Sequence, residues 1–375
     1  MSLRILAVGD PHFKVDNVLE TDAMHHSLIL LIQRLRPEVV VVEGDLLDKF
    51  ESIHVRAFNR ALQLLHDIRA NCQHTYLLIG NHDRPNNNVF LTDEHPFNAL
   101  KYWDRITIVD KVIVEEVGSA KVPLFFAPYV APGRFREALL TVGLDHKVEN
   151  PDCDPLNWQK LLSLAGGFCH QEFRGAKMGP IVSEQGDLWP QDGPPLISGH
   201  IHDYSKCQSN ITYTGTPFQH GRTDTTRKTV SLHTFSQTAA GWQQEEDRFE
   251  LQVPRKINIK LTLEELLAFD LEAIGPASLV KISVLLGELE FRHVLQHPQV
   301  ISLLKQGVKI KPLNTRVKIR SDTAGYTTTK ISYRQRLQTA VAESGPDTIA
   351  IFSELFDPPA STKPKRLILR RTAAA

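Results

Sequence analysis

The sequence predicts an α/β fold in which helices pack on a largely parallel central sheet, followed by a small α+β unit and C-terminal helices. Three observations carry that expectation. Strand and helix patterns alternate over roughly the first quarter of the chain, each early strand ends at a turn rich in polar residues, and the rhythm changes after about residue 250. The chain's 375 residues are too many for one ordinary core and suit a large domain with a smaller one. Its 42% hydrophobic and 23% charged residues exclude a mainly disordered chain.

Residues 4–9 (RILAVG) read as a buried strand ending at Asp10. Residues 20–35 are helical, with Met24, Leu28, Leu31 and Leu35 on one face. A second strand, 38–43 (EVVVVE), ends at Gly44-Asp45, and a helix over 54–69 carries the stripe Val55, Phe58, Leu62, Leu65. The third strand, 75–79 (TYLLI), ends at Gly80-Asn81. Apolar runs at 122–127, 195–198, 211–214 and 230–235 read as further strands, and Gly166-Gly167 as a turn. Later come strand 256–261, helix 263–271, strand 279–286, helix 288–305, a hairpin over 308–320 and two short helices within 331–356.

Lys+Arg and Asp+Glu are both 43, so a chain-wide basic character is excluded. The balance is uneven: the front is acidic and, with the chain's 16 histidines, suits cation binding, whereas the basic back suits a polyanion. Cys72, Cys153, Cys169 and Cys207 lack CxxC spacing, which points to reduced thiols. No apolar run approaches a membrane span, and MSLRILAVGD lacks a leader-like apolar stretch. The expectation is a soluble intracellular protein, cytoplasmic or nuclear, with no membrane partner.

Metal-competent residues gather at the strand ends. Asp10 and His12 follow the first strand, Asp45 and Asp48 the second, and Asn81, His82 and Asp83 the third. His170, then His200 and His202, follow later strands or glycine turns. Strand C-termini are where open α/β sheets bind ligands, and carboxylate, imidazole and amide oxygens together suit Mn²⁺, Fe²⁺ or Zn²⁺. A lone Asp-x-His or Gly-Asp is commonplace in turns, and a lone His170 would be structural. All five groups in this order argue for a site.

The order DPH (10–12), GDLLD (44–48), GNHD (80–83), FCHQEF (168–173) and GHIH (199–202) resembles the calcineurin-like metallophosphoesterase superfamily over roughly residues 1–240. The resemblance implies a metallophosphoesterase sandwich of mixed β-sheets flanked by helices. It implies one metal on Asp10, His12 and His202, a second on Asn81, His170 and His200, and Asp45 bridging both. It makes His82 a non-ligand that meets the phosphate or protonates the leaving oxygen, with Asp83 orienting it. Such metals sit roughly 3.5–4 Å apart and activate a water for attack on phosphorus.

Within the superfamily the chain looks most like the SbcD/MRE-type DNA repair exonucleases. The long insertion before His170, the segment YTGTPFQ (213–219) and the small C-terminal unit carry that likeness. MRE-type members often carry a histidine three residues after the bridging aspartate, where this chain has Asp48. The resemblance implies a nuclease domain over 1–250, a DNA-binding cap over 251–325, and C-terminal helices with a basic tail over 326–375.

In the cap, VKIKPLNTRVKIR (308–320) with a turn at 312–315 would put Lys309, Lys311, Arg316, Lys318 and Arg320 on one face. Like charges facing each other are destabilising, so a polyanion is the expected neighbour. A solubilising face on an edge hairpin is the alternative. The resemblance implies that the apolar cluster of 331–356 docks an SbcC-type ATPase; packing on the cap is the alternative. The basic tail 363–371 could contact DNA or be only solvated.

The expected function is a two-metal, Mn²⁺-dependent DNA nuclease, both a 3′→5′ double-strand exonuclease and a single-strand endonuclease. It would serve DNA repair, recombination or replication as the homodimeric nuclease subunit of an SbcC-type ATPase complex. The alternatives are a small-molecule nucleotide phosphoesterase and a DNA-end tether with secondary nuclease activity.

Overall fold

A computed structural model describes residues 2–313 apart from 87–88, 149–151, 240, 275–277 and 287. The described residues all fall in one compact unit, which ends at Thr315. Arg316, Lys318 and Arg320, the helices expected within 331–356 and the basic tail all lie outside the described residues.

The chain begins β1 (Ser2–Val8), α1 (Val18–Leu35), β2 (Val39–Val42), α2 (Val55–Ala70), β3 (His74–Leu78) and β4 (Ile106–Val109). Then come β5 (Ile113–Val117), β6 (Val122–Ala127), α3 (Phe135–Leu140), α4 (Pro155–Leu162) and β7 (Gly166–His170). A two-stranded excursion, β8 (Lys177–Met178) and β9 (Ile181–Val182), precedes β10 (Leu196–Gly199), β11 (Ser205–Gln208) and β12 (Ile211–Tyr213). The long pair β13 (Val230–Thr238) and β14 (Gly241–Phe249) follows. Last are β15 (Arg255–Leu261), α5 (Leu263–Leu267), β16 (Ser278–Val284), α6 (Glu288–Val294), α7 (Pro298–Lys305) and β17 (Lys309–Pro312).

Instead of one central sheet there are two of six strands, ordered β14-β13-β1-β2-β3-β4 and β11-β12-β10-β7-β6-β5. In the first, β1 to β4 run parallel and β13 and β14 extend it antiparallel. In the second, the parallel strands β12, β10, β7 and β6 are flanked by antiparallel β11 and β5. The sheets share a core in which Leu3, Ile5, Val39, Val41 and Leu78 meet Leu124, Phe126, Phe168 and Ile197. This explains why Val39–Val42 is an unbroken β-branched run: both faces are covered. A mixed α/β architecture of sheets flanked by helices is therefore the fold.

Some local expectations change. Gly166-Gly167 is not a turn but the start of the fully buried β7. The stripe of α2 is Ala57, Ala61, Leu64, Leu65 and Ile68, whereas Val55 is exposed. Alanines bring a helix close to a sheet, so large side chains alone misplace that face. The helix expected over 288–305 is two helices, because Pro298 cannot continue the first and instead opens α7 behind the cap His297.

The expected hairpin also changes. Residues 309–312 form the third strand of a parallel sheet ordered β15-β16-β17, pairing Lys281 with Lys309 and Ser283 with Lys311. Its inner face carries Val280, Ile282, Val284 and Ile310, packed against Leu266, Val300 and Leu303. Alternation puts Asn258, Lys260, Lys281, Ser283, Lys309 and Lys311 on the opposite face. Among the described residues no carboxylate lies within ion-pair distance of these four lysines. Nor is any helix long and apolar enough to cross a membrane.

Candidate metal centre

The parallel strands of both sheets deliver the site. Asp10 follows β1, Asp45 follows β2, Asn81 follows β3, His170 ends β7 and His200 follows β10. Three of these loops are knitted together. His12 N–H donates to the Asp45 carbonyl at 3.0 Å and Phe13 N–H to that of Leu46 at 2.8 Å, and His200 N–H donates to Asp10 Oδ1 at 3.1 Å.

The backbone is strained where the site forms. His12 (φ 45°), Asp45 (φ 47°) and His200 (φ 80°) are among the few described non-glycine residues at positive φ. Such conformations cost on the order of 1–3 kcal/mol each and persist where the surroundings over-determine them. Gly44, at φ 106°, leaves room for the His170 ring, and a Cβ on Gly80 would collide with the Asp45 carboxylate. Both glycines are therefore required by close approach as well as by backbone shape.

The predicted residues do converge. His170 Nδ1–H donates to the Glu43 carbonyl at 2.7 Å, which turns its Nε2 inward. That nitrogen lies 3.1 Å from Asn81 Oδ1 and 3.4 Å from Asp45 Oδ2. His200 Nδ1 is 2.9 Å from the same Asn81 oxygen. On the other side, His12 Nε2 lies 3.2 Å from His202 Nε2 and 3.7 Å from Asp45 Oδ2. Asp45 Oδ2 thus stands between the two groups. Asp10 is fully buried, and its Oδ2 has no hydrogen-bond partner.

The electrostatics follow from carboxylates and imidazoles crowded together in a buried place. Burial works against a charge on His170, yet the Asp45 and Asp10 carboxylates push it up to about 10. Burial would raise Asp45, but His170, His12 and His82 hold it well below the usual carboxylate range. Burial keeps His12 well below the ordinary histidine range, in the neutral form that can ligate. The buried Asp10 Oδ2 without a partner and the Asp45 Oδ2 between two groups of imidazoles suit a cation. The donor set (carboxylate, imidazole and amide oxygen) fits two divalent ions, with Asp45 shared.

One assignment is corrected. Asp83 does not orient the His82 ring. Its buried carboxylate accepts from the backbone N–H groups of Leu46 (3.2 Å), Leu47 (3.0 Å) and Gly80 (3.2 Å). Burial and the Asp45 charge push it up to about 7. His82 is instead held by its Nδ1–H donating to the Asp48 carbonyl at 2.7 Å, while its backbone N–H donates to Asp45 Oδ1 at 2.8 Å. That leaves Nε2 free in a group with His12 and Asp45 whose candidate ligand atoms lie within 4.8 Å. Asp83→Ala would strand three buried N–H groups and should cost about 3 kcal/mol. The expected readout is a melting temperature lowered by several degrees; an unchanged melt would show that the carboxylate does not hold the loop.

Sequence reasoning missed several neighbours. His220 packs edge-on against His12, with ring centroids 4.9 Å apart, and donates from Nε2 to the Asp10 carbonyl at 2.9 Å. Its only sequence signal is adjacency to YTGTPFQ. Glu172 Oε2 lies 3.8 Å from His200 Nε2, and the Tyr129 ring lies 5.7 Å from the His200 ring. A cleft of about 680 Å³ opens beside the centre, lined by Lys49, Phe50, Asn81, His82 and Arg84. Arg84 is not a free phosphate clamp, because its guanidinium is bonded to the carbonyls of Tyr129, Val89 and Phe90.

Comparison with known proteins fits this geometry. Residues 3–204 match the family model described as calcineurin-like phosphoesterase. "Putative phosphoesterase 078R" of Invertebrate iridescent virus 3 is 38% identical over 262 residues, covering 70% of each chain. "Putative phosphoesterase 244L" of Invertebrate iridescent virus 6 is 36% identical, covering 69% of this chain and 86% of that one. A Mycoplasma pneumoniae phosphatase structure aligns over 68% of this chain and 95% of its own with a TM-score of 0.34 at 11% identity. With the five motifs gathered at the strand ends of both sheets and the family model spanning more than half its length, the chain belongs to the calcineurin-like phosphoesterases.

Proposed function

We propose that this phosphoesterase is a two-metal DNA nuclease, using Mn²⁺ to cleave duplex ends 3′→5′ and single strands internally. The observation that carries the reading is the lysine face of the small parallel sheet, in the same compact unit as the metal centre. Lys281 is central on that face, with Lys309 beside it and Lys260 and Lys311 in the next row. A small-molecule phosphoesterase has no use for four lysines on one face of a separate small sheet, whereas a polyanion neutralises them. Assembly as a homodimer with an SbcC-type ATPase belongs to the same reading.

In this reading Asp10, His12 and His202 hold one ion, Asn81, His170 and His200 the other, and Asp45 both. When bound, the ions supply Lewis-acid stabilisation of the phosphate and a nucleophile at neutral pH. The chain's own residues do the rest. The Glu43 carbonyl fixes the His170 tautomer, and the Asp48 carbonyl holds the Nδ1–H of His82, so that the ring, when it enters the step as imidazolium, gives its second proton from Nε2 to the departing oxygen.

Purified chain incubated with labelled duplex and hairpin DNA, with and without Mn²⁺, tests the activity; intact DNA alongside turnover of a nucleotide ester would favour the small-molecule reading. Affinity measured at several salt concentrations tests the lysine face. Lys281→Ala with Lys309→Ala should weaken binding to all sequences alike and reduce the log–log salt slope by about 0.9 per lost contact. Hydrolysis of a small chromogenic phosphodiester should not change. An unchanged slope would remove this face from the DNA-binding surface.

A further inference from the structure

We propose that residues 219–222 couple the small parallel sheet to the first metal, with His220 as the positioning residue; this rests on the metal reading above. On one side, the His220 ring packs edge-on against His12 and His202, with centroids at 4.9 and 5.3 Å, and is backed by Phe218 at 4.8 Å. Its Nε2–H donates to the Asp10 carbonyl at 2.9 Å. His220 therefore touches all three residues assigned only to the first ion. Among the described residues, its ring and hydrogen-bond contacts include none of the three assigned only to the second.

On the other side, the same short segment is bolted to the sheet. Lys256 of β15 donates from Nζ to the His220 carbonyl at 2.9 Å and pairs with Glu20 at 3.0 Å, in a nearly buried ion pair. Gln219 Oε1 accepts from Lys256 N–H at 2.8 Å. Arg222 donates to the carbonyls of Ile257, at 2.9 Å, and Leu279. Asp224 Oδ2 accepts from the N–H groups of His220 (2.8 Å) and Gly221 (2.9 Å), which stiffens the turn between the two sides.

His220 Nδ1 is buried and has no hydrogen-bond partner. A phenyl ring would fill the space without that cost, so the imidazole is explained by what Nε2 holds. A movement of β15 and β16 reaches the first ion's residues through a chain of hydrogen bonds and ring contacts. Polyanion occupancy of the lysine face and affinity for the first ion are then linked, and the linkage runs both ways.

Titrating the metal-free full-length chain with Mn²⁺ tests this. Wild type should bind in two steps, which His202→Ala and His200→Ala assign to the first and second ion. His220→Phe keeps the ring but loses the donor, and should weaken the first step by about 10–100-fold, the usual effect of losing a residue that orients a ligand. His220→Gln, which restores a donor at similar reach, should recover most of the loss. Arg222→Gln touches no candidate ligand and should weaken the first step in the same direction. Melting curves confirm that each variant is folded, and Arg222→Gln carries the test if His220→Phe does not fold. A wild-type isotherm in His220→Phe or in folded Arg222→Gln, or equal weakening of both steps, would overturn the proposal. A wild-type chain binding fewer than two ions would instead overturn the metal reading.

Discussion

Asp45→Ala should release both metals and abolish hydrolysis together. Its Oδ2 lies 3.7 Å from His12 Nε2 and 3.4 Å from His170 Nε2, so one carboxylate serves both halves of the centre. Its Oδ1 accepts from the His82 N–H at 2.8 Å, so the same substitution also loosens the proposed acid. The ions are each asked to supply several kcal/mol of charge stabilisation, and about 1.4 kcal/mol is a factor of ten in rate. The expected loss is therefore roughly 10³-fold or more. The check is elemental analysis of the desalted protein beside its turnover of a chromogenic phosphodiester. Two metals per chain retained in the variant would sink the bridging role.

His82→Gln should separate chemistry from metal binding. Wild-type His82 keeps Nδ1 on the Asp48 carbonyl and leaves Nε2 at the centre. If that nitrogen delivers a proton, its loss should slow the chemical step by roughly 10²–10⁴-fold while metal content and DNA affinity hold. The geometry sharpens the alternative, since His82 shares a potential ligand group with His12 and Asp45. Loss of one metal per chain in His82→Gln would make it a ligand and not an acid. Single-turnover rates and metal content, measured on the same preparation, decide between the two.

Much of the centre was legible because strand ends are local features. The run Val39–Val42 followed by Gly44-Asp45, and the run His74–Leu78 followed by Gly80-Asn81, mark the places where a buried strand gives way to polar residues. A parallel sheet brings those ends together whatever the details of packing. The stripe of α1 was legible for the same reason, because large apolar residues at helical spacing have one face to bury. That of α2 was not, because its contact face is partly alanine and Val55 points to solvent.

By itself, the sequence determined the early alternation of strands and helices and most of the residues that meet at the strand ends. Periodicity and motif spacing are properties of neighbouring residues. Only the tertiary structure decided who holds whom. Asp83 reaches the backbone of residues 46–47 from the next strand's loop, and the Asp48 carbonyl takes the place beside His82 that the family resemblance implied for Asp83. His220 reaches Asp10 across 210 positions of chain. Lys260 and Lys281 joined Lys309 and Lys311 because β17 pairs in parallel with β16, where the local pattern had suggested a hairpin. Strand partners and side-chain acceptors depend on which distant segments dock, and a one-residue slip of β17 would turn Lys309 and Lys311 inward.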